Sequence, residues 1–365
     1  MTNRLRLLLC GDVMTGRGID QIMPRSVDPI LFESVVWSAE DYIVLAERRH
    51  GPIPRNVEPG YIWGDALPLM QSMSPDVSIA NLETAVTTSA DHQRKGINYR
   101  MHPANVTCLQ AAQLDVCTLA NNHVLDWGEN GLLETLGVLR GAGIKTAGAG
   151  TELKEAVTPA VQPTGQGRVL VFAGGHTDSG IDPGWAATSR GPGVHLLRGL
   201  SARNASGIGR VVRSMRRDDD VVVYSVHWGD NWGYDVPEEH QAFAHALIDE
   251  AGVDLVFGHS SHHPKGIEVY RNKLILYGCG DLINDYEGIS GHEAFRPELR
   301  VIYFPVLDQR GDLQHLDMAV LETSGFALHH PAAEDLEWLG DRLAEASREF
   351  GVDVRSRGDN LLELY

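Results

Sequence analysis

Short runs of apolar residues alternate along the chain with stretches in which apolar positions recur every three or four residues. That alternation is the pattern of βαβ units, in which buried strands are joined by amphipathic helices. Six runs predict buried strands: Leu5–Cys10, Val77–Ala80, Val116–Leu119, Val169–Ala173, Val221–Val226 and Leu255–Phe257. Gly131–Arg140 predicts a helix stopped at Gly141-Ala142-Gly143, and Glu238–Glu250 a helix opened by Pro237. Two hairpins follow. One pairs Ile267–Tyr270 with Lys273–Tyr277 across Arg271-Asn272, and the other pairs Val301–Leu307 with Leu313–Val320 across Asp308–Asp312. Glu334–Phe350 is helical in pattern and charged on one side. The class predicted is α/β with a mostly parallel sheet.

Three stretches, Gln21–Gly60, Thr87–Pro103 and Gly174–Gly193, are rich in Gly, Pro, Asp and Arg and predict long loops, which in a compact domain often carry binding or lid roles. No linker composition divides the 365 residues, so one domain is expected, with a helical tail from about residue 331. The net charge of −18, from 31 basic and 49 acidic residues, repels polyanions and argues against nucleic-acid or anionic-membrane binding. A small or peptide-like anionic substrate in a locally cationic site stays compatible with it. No apolar stretch approaches the roughly 20 residues of a membrane span, and the opening MTNRLRLLLCGD has too short an apolar run for a signal peptide. Cys10, Cys108, Cys117 and Cys279 show no framework spacing, which fits reduced thiols in a cytoplasm.

Chemistry concentrates where the strands end. Leu5–Cys10 runs into Gly11-Asp12, Val77–Ala80 into Asn81-Leu82-Glu83, and Val116–Leu119 into Ala120-Asn121-Asn122-His123. Val221–Val226 runs into His227-Trp228-Gly229-Asp230, and Leu255–Phe257 into Gly258-His259 followed by His262 and His263. Ends of parallel strands share one edge, where α/β proteins bind ligands. Five strands would deliver carboxylates, amides and imidazoles to one line, the donor types that hold one or two divalent ions such as Mn, Fe or Zn. Such a set suits a hydrolase that activates water between metals. Each residue taken alone has a plainer reading: Asp after a strand as a turn residue, Asn121 or Asn122 in a left-handed turn, His227 as a satisfied core histidine.

GDVM at Gly11–Met14, NLE at Asn81–Glu83, NNHVLDWG at Asn121–Gly128, HWGD at His227–Asp230 and GHSSHHPKGIE at Gly258–Glu268 together resemble the CapA family of poly-γ-glutamate synthesis proteins, within the calcineurin-like metallophosphoesterase superfamily. The resemblance runs in order from about residue 5 to about residue 285. It implies a four-layer α/β/β/α sandwich of the metallophosphoesterase type, with metals at the strand ends. It casts Asp12, Asn81, Glu83, Asn122, His227, His259 and His262 as metal ligands and His123 as the catalytic histidine. Asp126, three residues beyond His123, would orient that imidazole through its second N–H. Met14 stands where the superfamily has a histidine and Asn81 where it has a bridging aspartate, and both changes reduce charge and ligand count. The activity implied is hydrolysis of a phosphoester or γ-glutamyl-type amide. A non-catalytic accessory or binding role in polymer or capsule assembly is the alternative. Arg17, Lys95, Arg100 and His102 are candidates to hold an anionic substrate group, with a solvated loop as their plainer reading. His263 is read as the non-ligand of its cluster, and His240 and His245 as surface or packing residues.

Overall fold

The computed structural model describes residues 4–365; Met1–Asn3, the start of the segment read above for a leader, lie outside the described residues. Every predicted strand forms, most of them longer than predicted: Leu5–Val13, Val77–Leu82, Val116–Thr118, Gly167–His176, Asp220–His227 and Leu255–His259. Both helices form, as Gly128–Gly141 and Glu238–Asp249, and both hairpins pair antiparallel. The class is mixed α/β.

Two large sheets carry the molecule. In the first, parallel Leu5–Val13, Val77–Leu82, Val116–Thr118 and Lys145–Ala147 continue into antiparallel Leu299–Leu307 and Leu313–Ser324. In the second, Leu196–Leu197, Gly167–His176, Asp220–His227, Leu255–His259 and Lys273–Leu276 are parallel, and Ile267–Tyr270 closes the edge antiparallel. Alternate residues of the second sheet serve different cores, because side chains on a strand point to opposite faces. Val169, Val171, Val223, Leu255 and Phe257 join Leu7, Leu9, Ile79 and Val116 of the first sheet in one apolar cluster. Leu170, Phe172, Val222, Tyr224 and Val256 join Ile208, Val212, Phe243 and Leu247 in a second cluster. The strands read as continuous apolar runs for that reason: both faces are covered.

Three expectations differ. Gln21–Gly60 holds a helix, Ala39–His50, capped by Ser38. Only Ala39, Tyr42, Ile43 and Ala46 of that helix are buried, too sparse an apolar stripe to stand out among its charges. Gly174 is not a loop boundary, since its strand continues to His176. Beyond the tail helix, Ala333–Ser347, the chain makes a further hairpin, Val354–Gly358 with Leu361–Leu364, which adds to the first sheet by pairing Leu362 with Met318. The segment Ala202–Met215, not singled out by pattern, is a helix capped by Ser201. No helix among the described residues is long and apolar enough to cross a membrane.

Candidate metal centre

Register brings the predicted residues together. Asp12 lies opposite Asn81 on one side and Asp281 on the other, and Asn81 lies opposite Thr118. In the second sheet, His227 lies opposite His259. A glycine before Asp12 is a steric requirement, because a Cβ on Gly11 would stand 1.7 Å from the Gly280 carbonyl oxygen. The close backbone passage at Gly11 is what sets Asp12 beside the Asp281 strand.

Asp12, His227 and His259 form the tightest cluster, with one ligand atom from each lying within 4.8 Å of the others and all three side chains buried. His259 Nδ1 is 3.7 Å from Asp12 Oδ1 and 2.7 Å from His227 Nδ1. Two imidazole lone pairs at that separation repel unless a proton or a cation lies between them. The far side of His259 is fixed, since its Nε2 shares a 2.6 Å hydrogen bond with Ser225 Oγ, so Nδ1 is the nitrogen turned to Asp12. Carboxylate and imidazole in this arrangement are the donor set of a first-row divalent ion, and they fit one.

Charge balance points the same way. Burial, reinforced by Asp281, pushes the Asp12 carboxyl up to about 7, and burial together with Asp12 pushes Glu83 well above the usual carboxylate range. Burial likewise holds His259 down to about 3 and His227 well below the ordinary imidazole value. Crowded buried acids beside neutral imidazoles take up protons where a cation would otherwise balance them.

A second group stands on the other side of His227. Its Nε2 is 3.1 Å from Asn122 Oδ1 and 3.9 Å from Glu83 Oε1, and Glu83 Oε1 is 3.8 Å from His123 Nε2. Asn121 builds the turn that presents His123, its Oδ1 accepting from the backbone N–H groups of His123 and Val124. His123 Nδ1 lies 2.6 Å from Asp126 Oδ2, which also accepts from Tyr99 N. Lys95 Nζ reaches Asp126 Oδ1 at 2.8 Å and the Asn122 carbonyl. Burial lowers His123 to about 4, against the pull of Asp126, so its imidazole is neutral near pH 7.

Asn81 sits in the cluster but faces it with its donor end. Its Nδ2 gives hydrogen bonds to Asp12 Oδ1 at 2.6 Å and Glu83 Oε2 at 3.3 Å, while its Oδ1 accepts from Asn121 and Thr118. Cast as a ligand above, Asn81 is placed instead as a brace between two carboxylates. His262 is not one of the three clustered residues: its Nδ1 is 2.9 Å from Asp281 Oδ1, and although burial lowers the imidazole pKa, the charge and hydrogen bond of Asp281 together with Asp12 raise it on balance. Asp281 also accepts from Asn284 and was not among the predicted residues, although the apolar run Leu274–Tyr277 followed by Gly278-Cys279-Gly280-Asp281 repeats the strand–Gly–Asp signal of Gly11-Asp12.

Of the four residues expected to hold a substrate anion, three are committed elsewhere. Arg17 is buried in ion pairs with Asp285 and Glu33, between the Tyr42 and Tyr99 rings. Arg100 donates to the Ser89 and Asp28 carbonyls and lies over Trp127. His102 accepts from Ala104 N through Nδ1. The two arginines share a cause: buried carboxylates and loop carbonyls need donors, and these guanidiniums supply them. Lys95 alone stands at the site. His263 accepts from Gly233 N and packs on Trp232. His240 stacks on Trp228, 4.5 Å between ring centroids, and bonds Asp178, which fixes the turn after His227. His245 bonds Glu268 and stacks on Tyr270.

Residues 6–286 match the model of the bacterial capsule synthesis protein family PGA_cap. The chain is 46% identical, over 98% of its length and 95% of the relative's, to a probable polyglutamine synthesis accessory protein of Mycobacterium tuberculosis. It is 26% identical to the PGA biosynthesis protein CapA of Bacillus subtilis, over 75% of this chain and 62% of that protein. It is also 25% identical to the capsule biosynthesis protein CapA of Bacillus anthracis, over 77% of this chain and 60% of that protein. The matched span, more than half of the chain, and the CapA relatives agree on one assignment: the chain belongs to the bacterial capsule synthesis protein family PGA_cap.

Proposed function

We propose that this protein is a metal-dependent hydrolase that acts on a phosphoester or γ-glutamyl-type amide bond, in the service of poly-glutamate or capsule assembly. The observation that carries the reading is the convergence of Asp12, His227 and His259 within 4.8 Å. These three would hold a divalent ion (Mn, Fe or Zn), with Glu83 and Asn122 placed to serve a second. Such an ion, when bound, polarises the scissile group and makes water nucleophilic near neutral pH. His123, with its Nδ1–H given to Asp126, presents Nε2 toward Glu83, where it can hand a proton to or accept one from the reacting group. Lys95 holds the other oxygen of Asp126 and so keeps the imidazole in one orientation. The two facing sheets, with helices packed on their outer sides, are read here as the four-layer sandwich of the metallophosphoesterases. The substrate is read as a small or peptide-like anion, and the site of action as the cytoplasm.

A second reading is a binding role without turnover. Asn81 favours it, because an amide N–H₂ between the two carboxylates lowers the negative charge available to a pair of ions. The accessory naming of the M. tuberculosis relative agrees with it. Elemental analysis of protein purified without chelator or affinity nickel, followed by phosphoesterase and γ-glutamyl amidase assays, separates the two. Bound metal with turnover lost in His123→Ala supports the hydrolase; bound metal without turnover on either substrate class contradicts it.

A further inference from the structure

A cavity of about 350 Å³ opens beside the helix Ala202–Met215 and shares no lining residue with the metal cluster. Its walls are apolar: Val157, Phe172, Leu197 and Ile208 contribute, and the last three belong to the core on the outer face of the second sheet. Two arginines, Arg198 and Arg210, line the same cavity and are exposed. Neither guanidinium makes an ion pair or hydrogen bond among the described residues. Nearby Arg168 and Arg216, by contrast, are paired with Asp220 and Asp254. The uncharged polar side chains of the cavity, Asn204 and His195, each have one nitrogen held by backbone. Asn204 Nδ2 donates to the Gly199 carbonyl at 2.6 Å, and His195 Nδ1 lies 2.9 Å from the Ala173 carbonyl.

An apolar floor lined by two unpaired cations selects a ligand of matching design. We propose that this cavity is a binding site for an anionic amphiphile, its apolar tail against Phe172 and Ile208 and its acidic head toward Arg198 and Arg210. The surrounding charge sharpens the case: on a chain with a net charge of −18, an anion finds few local positive fields, and here two arginines line one apolar hollow. The volume falls at the low end of the range for small-molecule sites, which suits a medium-length acyl or aryl chain. Carboxylate and phosphate heads share this chemistry. The site is independent of the metal centre and of the activity proposed for it.

The experiment is a calorimetric titration of the full chain with octanoate, octyl phosphate and octanol. The site predicts saturable binding of one or both anions, with octanol weaker by about tenfold or more, the loss expected when charge-assisted hydrogen bonds are absent. An Arg198→Ala/Arg210→Ala variant should weaken the anions by a similar factor and leave octanol unchanged. Both side chains are exposed, so the fold tolerates their loss. Gly207→Leu supplies a steric test. A Cβ at Gly207, which lines the cavity, meets only Arg210 Nη2, at 3.5 Å, and leucine favours a helix, so the variant should fold and lose all three ligands. Equal affinity for octanol and the anions, no saturation by either anion, or undiminished binding in folded Gly207→Leu would each overturn the proposal. Binding of one anion and not the other tells whether the head is a carboxylate or a phosphate.

Discussion

At the scale of single residues, Asn81 shows how one atom decides a role. Its amide nitrogen lies between the Asp12 and Glu83 carboxylates and mutes their repulsion. Asn81→Asp should therefore do two opposite things. Without metal it should cost about 2–3 kcal/mol of stability, since a third carboxylate is buried without a partner. It should also tighten divalent-ion binding by about tenfold or more, because the added charge acts at close range. Denaturant melts and metal titrations on one preparation check both signs, and an unchanged metal affinity would place Asn81 outside the cation's reach. Asp281 acts through His262, so Asp281→Asn should weaken any contribution of that imidazole by about 10–100-fold in metal affinity or activity, the usual effect of losing a residue that orients a ligand.

The His176–Asp178–His240 cluster gives a pH prediction. Its hydrogen bond to Asp178 raises His176, and the bonds from His176 and His240 outweigh burial to hold Asp178 well below the usual carboxylate range. Two windows follow. The raised histidine contributes fully below its unfolded value near 6.5 and loses its contribution as pH rises through the folded value; the lowered acid contributes above roughly pH 4 and loses as pH falls through its folded value. The stability difference between wild type and Asp178→Asn should thus be largest between about pH 4 and 6.5 and shrink toward pH 9. With Asp178 a third exposed, about 0.5–1 kcal/mol is the expected size. A difference that grows with alkaline pH would contradict the pairing.

At the scale of elements, the strands that carry the site were legible because each is buried on both faces and so reads as an unbroken apolar run ending in Gly-Asp, Asn-Leu-Glu or a histidine. The helix Ala39–His50 was not, because its buried positions are few and its termini are charged. The closing hairpin was hidden for a related reason: Arg355, Ser356 and Arg357 of its outer strand are exposed, and only Val354 and Leu362 of the two strands are buried, so no alternation survives. Which strand-end residues face the cluster and which turn aside, as Arg17 does, depends on partners from distant segments such as Asp285, which spacing along the chain cannot show. Removing residues 354–365 should expose the edge of Leu313–Ser324 and the Leu362 seat beneath Gly340. A drop in melting midpoint with concentration-dependent aggregation is expected, and light scattering during the melt checks it; a truncated chain as stable and monomeric as the full one would show the hairpin to be an ornament.

At the scale of the whole molecule, the two sheets each supply part of the proposed cation site: Asp12 from the first, His227 and His259 from the second. An ion bound there would tie the sheets together, and stability should then rise with metal concentration by the mass-action amount, about 2.7 kcal/mol at a hundredfold excess over the dissociation constant. The most direct test is metal content. Elemental analysis of chelator-free wild type and of folded His259→Ala should find at least about one first-row divalent ion per chain in the former and a loss of about tenfold or more in the latter. A wild type without metal that also fails to take up added Mn, Fe or Zn, or a His259→Ala variant with undiminished content, would contradict the account.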